Sequence, residues 1–144
     1  MFLWRRKAET EDTAETDFPT RVGADAEGYF RTGKMHCAEA VLYTIRNHFS
    51  PETPEDVVRL AAGFGGGSGS GCICGAVSGG TMAIGLVLGG DKKKVNVLTR
   101  ELHIWFKERY GSTCCRIITT GGKKICPSLT GSVAGKVAEL LRRG

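Results

Sequence analysis

The residues of this 144-residue chain whose type and spacing could do chemistry are its six cysteines: Cys37, Cys72, Cys74, Cys114, Cys115 and Cys126. Cys72-Ile73-Cys74 holds two sulfurs close enough to ligate one metal. Cys114-Cys115 is a vicinal pair, and its disulfide ring would be strained and easily reduced. Cys37, Cys74, Cys115 and Cys126 share a different property: each falls at or near the expected start of a helix. Four such starts converging would aim positive dipole ends at a thiolate-rich site. That site suits an iron–sulfur centre, a set of redox-active dithiols or a zinc ion. None of the spacings is that of a zinc finger or of a common ferredoxin run. Cys72 and Cys114 read as idiosyncratic additions to the four, with a part as further metal ligands left open.

Around Cys72 and Cys74 the chain reads Gly-Phe-Gly-Gly-Gly-Ser-Gly-Ser-Gly-Cys-Ile-Cys-Gly-Ala-Val-Ser-Gly-Gly, residues 63 to 80. Glycine brings main-chain N–H groups close to a ligand and tolerates positive φ, and several such groups together bind anions. Gly65, Gly66, Gly67, Gly71 and Gly75 are therefore expected to line a bound group, with Arg116 beside Cys115 as a cation for a thiolate or anion. The segment lacks the closing Gly-Lys-Ser/Thr of a P-loop, and no strand precedes it as a dinucleotide fingerprint requires. Cys74 opens an apolar helical stretch, so the helix dipole should lower its pKa. His36 stands next to Cys37, and His48 and His103 look like ordinary helix residues. No paired carboxylates and no Ser/His/Asp set argue for a hydrolase.

The elements that must position these groups are all helical. Residues 18–29 read as a short helix, since Ala24 to Phe30 carry helix formers around one glycine. Residues 35–49 place Val41, Leu42, Ile45 and Phe49 on one face. Thr53-Pro54-Glu55 predicts a capped start to a helix with Val57, Val58, Leu60, Ala61 and Phe64 on its core face. Residues 74–88 form a helix of small residues, ended by Gly89-Gly90. Asp91 caps a long helix reaching about Arg109, with Val95, Leu98, Leu102, Trp105 and Phe106 at helical spacing. A short helix starts near Cys114 and Cys115, and a last one follows Cys126-Pro127 with Val133, Val137, Leu140 and Leu141 as its stripe. No alternating strand pattern of useful length occurs. The expected fold is an all-α bundle of about five to seven helices, with a glycine-rich loop before the central helix. Residues 1–17 read as a mobile tail, and residues 18–144 as one domain.

Length, charge and compartment narrow the function. A chain of this size folds without disulfides, and its cysteine pattern is not that of a secreted scaffold. The longest apolar run, Gly75 to Gly90, is too short and too rich in glycine to span a membrane. A soluble cytoplasmic protein is expected, in which clustered cysteines bind metal or do redox chemistry. The net charge of +5 comes in short clusters at Lys92–Lys94, Lys123–Lys124 and Arg142–Arg143. These mark helix ends and lack the interleaved aromatics of a nucleic-acid surface, so no nucleic-acid partner is expected. A redox partner protein or a small-molecule substrate is.

On these residues the chain resembles the redox-active family named for its C…GCAxxG…C…C signature. His36-Cys37-Ala38-Glu39-Ala40-Val41-Leu42 matches the first cysteine helix. Cys74-Gly75-Ala76 with Gly79 occupies the core motif. Cys115-Arg116 takes the third position and Cys126 the fourth, before the closing helix. The chain departs from the signature at Ile73, where the motif has glycine. The resemblance implies a small helical redox protein, an oxidoreductase if it is an enzyme, with a metal or iron–sulfur centre at the four cysteines. Electron transfer or small-molecule reduction at that centre is then the expected activity. Thiol–disulfide chemistry without metal and a structural zinc in an interaction module are the alternatives. Small residues on the Cys74 helix permit close packing between two copies, so a homodimer is left open.

Overall fold

The structure is a computed structural model describing residues 2–143, with side chains from Asp17 to Arg143. The tail expected over residues 1–17 therefore lies, but for Asp17, outside the residues described with side chains. The helices are α1 (Phe2–Arg31), α2 (Cys37–Phe49), α3 (Gly75–Leu88), α4 (Lys92–Tyr110), α5 (Cys115–Ile118) and α6 (Cys126–Arg143). A 3₁₀ segment, Glu55–Phe64, and a tight glycine turn, Gly67–Gly71, join α2 to α3. The chain is all-α, as its periodicity predicts. Among the described residues there is no strand, only an isolated antiparallel bridge between Ile73 and Cys114. No described helix is long and apolar enough to cross a membrane.

The core is the set of stripes read from the sequence. Val41, Leu42 and Ile45 of α2 are buried with Val77 and Ile84 of α3, Leu98, Leu102 and Phe106 of α4, and Val133, Val137, Leu140 and Leu141 of α6. Burying one such side chain stabilises by roughly 1.5–3 kcal/mol, so this shared interior fixes where the four long helices begin. α1 completes it with Val22 and Ala26. It runs antiparallel to α6: its Pro19 carbonyl lies near Gly135, and its Gly23 carbonyl near Gly131. α2 and α3 touch backbone to backbone where Gly79 meets Ala38, and any side chain at 79 would collide there.

Two local expectations are corrected. Leu60 is 69% exposed rather than on the core face. The 3₁₀ segment has three residues per turn, so Val58 and Ala61, three apart, share the buried face and Leu60 turns away. Nor does Thr53 cap this segment. Its hydroxyl pairs with the Ser50 hydroxyl at 2.7 Å, and no side chain caps the helix start. Asp91 does act as expected, its carboxylate accepting from the Lys94 amide at 3.1 Å.

Candidate thiol-lined site

Each of the four signature cysteines stands at a helix start. Cys37 is the first residue of α2, after the extended residue His36. Cys74 is the residue immediately before α3. Cys115 opens α5 and Cys126 opens α6. The start of α2 is set by Glu39, whose carboxylate accepts from the His36 amide at 3.1 Å. The start of α5 is set by the bridge to Ile73, through Cys74 N–H to Thr113 O at 2.7 Å and Cys115 N–H to Cys72 O at 2.5 Å. Two stretches some forty residues apart are thus tied together, and Cys74 and Cys115 travel with the tie.

All four cysteines line one cavity of about 180 Å³. Its other walls are Phe30, His36, Gly66, Gly75, Ile118, Thr119, Lys123, Leu129 and Thr130. The volume is below the roughly 300–1,000 Å³ of sites for drug-sized ligands, which excludes a dinucleotide or a flavin from it. A larger groove of about 460 Å³ runs between α1 and α6, but it contains no cysteine.

Burial dominates the electrostatics of the thiols. It pushes Cys74 up to about 12, and the amides of Ala76 and Val77 do not offset it. The expectation that the α3 dipole would lower this pKa is therefore overturned: losing water around a thiolate costs more than one helix end returns. Cys37 is also raised by burial, against the amides of Ala38 and Gly66. Cys126 is raised by burial and by the neighbouring Cys115, against the positive charge of Lys123. Cys115 acts electrostatically on each of the other three, so it is the hub of the set.

The remaining candidates fall around this centre. Gly66 and Gly75 line the cavity, and the Cys37 sulfur lies against Gly75. Gly67 sits behind Cys115 at φ +65°, where an added Cβ would come within 2.8 Å of the Cys115 Cβ. Gly65 packs on the His36 ring, and Gly71 on the Arg116 side chain. Arg116 donates to Ser70 O at 3.2 Å and holds the glycine turn, outside the cavity wall. Cys72 is exposed, with the Ser70 hydroxyl donating to its sulfur at 3.3 Å, and the Cys114 sulfur donates to Gly71 O at 3.4 Å. Neither lines the cavity. His48 pairs with Asp25 at 2.9 Å and His103 with Thr99 O at 2.8 Å. Among the described residues no group of three or more His, Cys, Asp or Glu is placed to hold a single metal ion.

Sequence reasoning missed Lys123 and Thr130. In the sequence Lys123 reads only as part of a basic cluster. Thr130 carried a signal, since it lies four residues after Cys126 and so on the same face of α6. Its hydroxyl is fully buried and has no hydrogen-bond partner.

No curated protein and no solved structure matches this chain. Residues 35–140 match the family described as "Putative redox-active protein (C_GCAxxG_C_C)". That span contains all six cysteines and most of the bundle, with α1 before it. With its four cysteines in signature order around one cavity, the chain belongs to the C_GCAxxG_C_C redox-active family.

Proposed function

We propose that the cavity holds an iron–sulfur centre ligated by Cys37, Cys74, Cys115 and Cys126, and that the protein transfers electrons or reduces a small molecule through it. The observation that carries this reading is the convergence of four helix starts, from distant parts of the chain, on one small cavity. The donor set fits the group, being four thiols with main-chain amides near them. Around a tetrahedral zinc, sulfurs stand roughly 3.8 Å apart, following from the zinc–sulfur bond length. Among the described residues no three ligating side chains are arranged in that way. An iron–sulfur centre supplies one-electron chemistry when bound. The chain itself supplies thiols that give up their protons on ligation, the amides of Ala38, Gly66, Ala76 and Val77 facing the sulfurs, and walls that limit water.

A second reading is thiol–disulfide exchange, which the bridge favours by bringing exposed Cys72 alongside Cys115. Against it, the thiolate is the attacking species, and burial keeps Cys37, Cys74 and Cys126 protonated.

Purification without oxygen, followed by iron and sulfide analysis, decides between them. A brown protein with stoichiometric iron and sulfide is expected, lost in Cys74→Ser and kept in Cys72→Ser. A colourless, metal-free protein whose thiols oxidise and reduce reversibly overturns the first reading in favour of the second. Equal loss of iron from both variants overturns the choice of ligands.

A further inference from the structure

The cavity has a polar side that the cysteines do not explain. Thr130 is fully buried and lines it, four residues along α6 from Cys126. A threonine inside a helix can donate to the carbonyl four residues back. Thr81 does so within α3, to Val77 O at 2.9 Å, and just past the end of α5 Thr119 does so to Cys115 O at 2.7 Å and Thr120 to Arg116 O at 3.1 Å. Thr130 makes no such bond, nor any other. A buried hydroxyl without a partner is a cost to the fold, and such groups in native structures call for an explanation. Thr44 and Thr99 also lack a partner, but neither lines the cavity. Position, not the missing bond alone, sets Thr130 apart.

Lys123 lines the same cavity, and its charge acts on Cys126. The lining thus includes a cation and an unused hydroxyl donor as well as sulfurs that become anionic when they ligate. We propose that Thr130 donates a hydrogen bond to a sulfur of the anionic centre bound in the cavity, with Lys123 supplying the facing positive charge. This rests on the iron–sulfur reading and specifies which side of the site sets its reduction potential. A donor and a cation both favour the more negative, reduced state, so each raises the potential. The hydrogen bond itself moves no electron and breaks no bond.

The test uses full-length protein purified without oxygen, comparing Thr130→Val, Thr130→Ser, Lys123→Gln and, as a control, Thr44→Val. Valine keeps the shape of threonine and removes the hydroxyl. Thr130→Val is expected to keep its iron and sulfide but to show a reduced-to-oxidised ratio about tenfold lower at a fixed ambient potential, equivalent to 59 mV for one electron. Thr130→Ser should stay near wild type, and Thr44→Val should not move. Lys123→Gln, at an exposed position, should shift the same way by less. Freed of metal, Thr130→Val should melt no lower than wild type, since an unpaired buried hydroxyl is gone. An unchanged potential in Thr130→Val and Lys123→Gln overturns the proposal, as does a metal-free Thr130→Val that melts several degrees lower, which would show a partner within the fold. If wild type itself carries no iron and sulfide, the iron–sulfur reading falls and takes this one with it. A centre that forms and does not respond leaves that reading standing.

Discussion

Three of the cavity cysteines and the fourth are held in different ways. Cys37, Cys74 and Cys126 begin or immediately precede α2, α3 and α6, which pack on one another through a shared apolar interior. Cys115 begins α5, four residues long with none of them buried, whose main neighbour is the glycine turn Gly67–Gly71. The long helices place three thiols by hydrophobic burial, so those positions are as firm as the bundle. The fourth is placed by two main-chain hydrogen bonds and by glycines with left-handed backbone. Stability and site geometry are therefore separable: a change on the helix side should damage the fold, and one on the loop side the site.

The most damaging change on the helix side is Gly79→Ala. The new methyl group would collide with the Ala38 backbone, a neighbour that cannot rotate away. Overpacking of this kind costs about 3 kcal/mol, which lowers the melting temperature of a chain this size by roughly 10 °C. The measurement is a thermal melt followed by circular dichroism. A melt within a degree or two of wild type would show that α2 and α3 can separate freely, and the helix side would lose its claim to rigidity.

The loop-side counterpart is Gly67→Ala. At φ +65° a residue with a Cβ loses about 1–2 kcal/mol, and here the Cβ also meets the Cys72 backbone nitrogen at 2.6 Å and presses on Cys115. The melt should fall by no more than in Gly79→Ala, while iron retention should fall more steeply than in Gly79→Ala or any surface variant. Iron per chain plotted against melting temperature for the two variants is the check. If both lie on one line, site and fold are not separable.

What the sequence could and could not disclose follows the same division. The helix side was legible: Cys37, Cys74 and Cys126 at helix starts, Asp91 as a cap and the stripes on α2, α4 and α6 are local patterns, and packing confirmed them. The face of the Glu55–Phe64 segment was not, because a 3₁₀ turn and an α turn place Leu60 on opposite sides and both suit the same residues. The bridge between Ile73 and Cys114 left no alternating pattern because it is a single residue pair. Lys123 and Thr130 belong to the site only through the meeting of α6 with the rest, which no local spacing reports. Phe30 enters the cavity wall from α1, ahead of the residues matched to the family. The sign of the Cys74 shift is not legible, because a helix start is visible in sequence whereas loss of solvent is not.

That shift gives the mildest test, since it is silent at neutral pH. In metal-free protein, burial raises the pKa of Cys74 from 9.0 to about 12 and raises those of Cys37 and Cys126. A raised thiol pKa means that the folded state binds the proton more tightly than the unfolded state does. The associated stability is whole below about pH 9 and is lost as pH rises toward 12. The informative quantity is the difference between wild type and Cys74→Ala. Wild type should lose stability faster than the variant over that window, and the two slopes should agree at pH 6–8. Iodoacetamide should likewise label exposed Cys72 first and Cys74 last at pH 8, with Cys74 gaining most from added alkali. Parallel denaturation curves, together with early labelling of Cys74, would mean that water reaches the cavity freely, and the long helices would then position their thiols without shielding them.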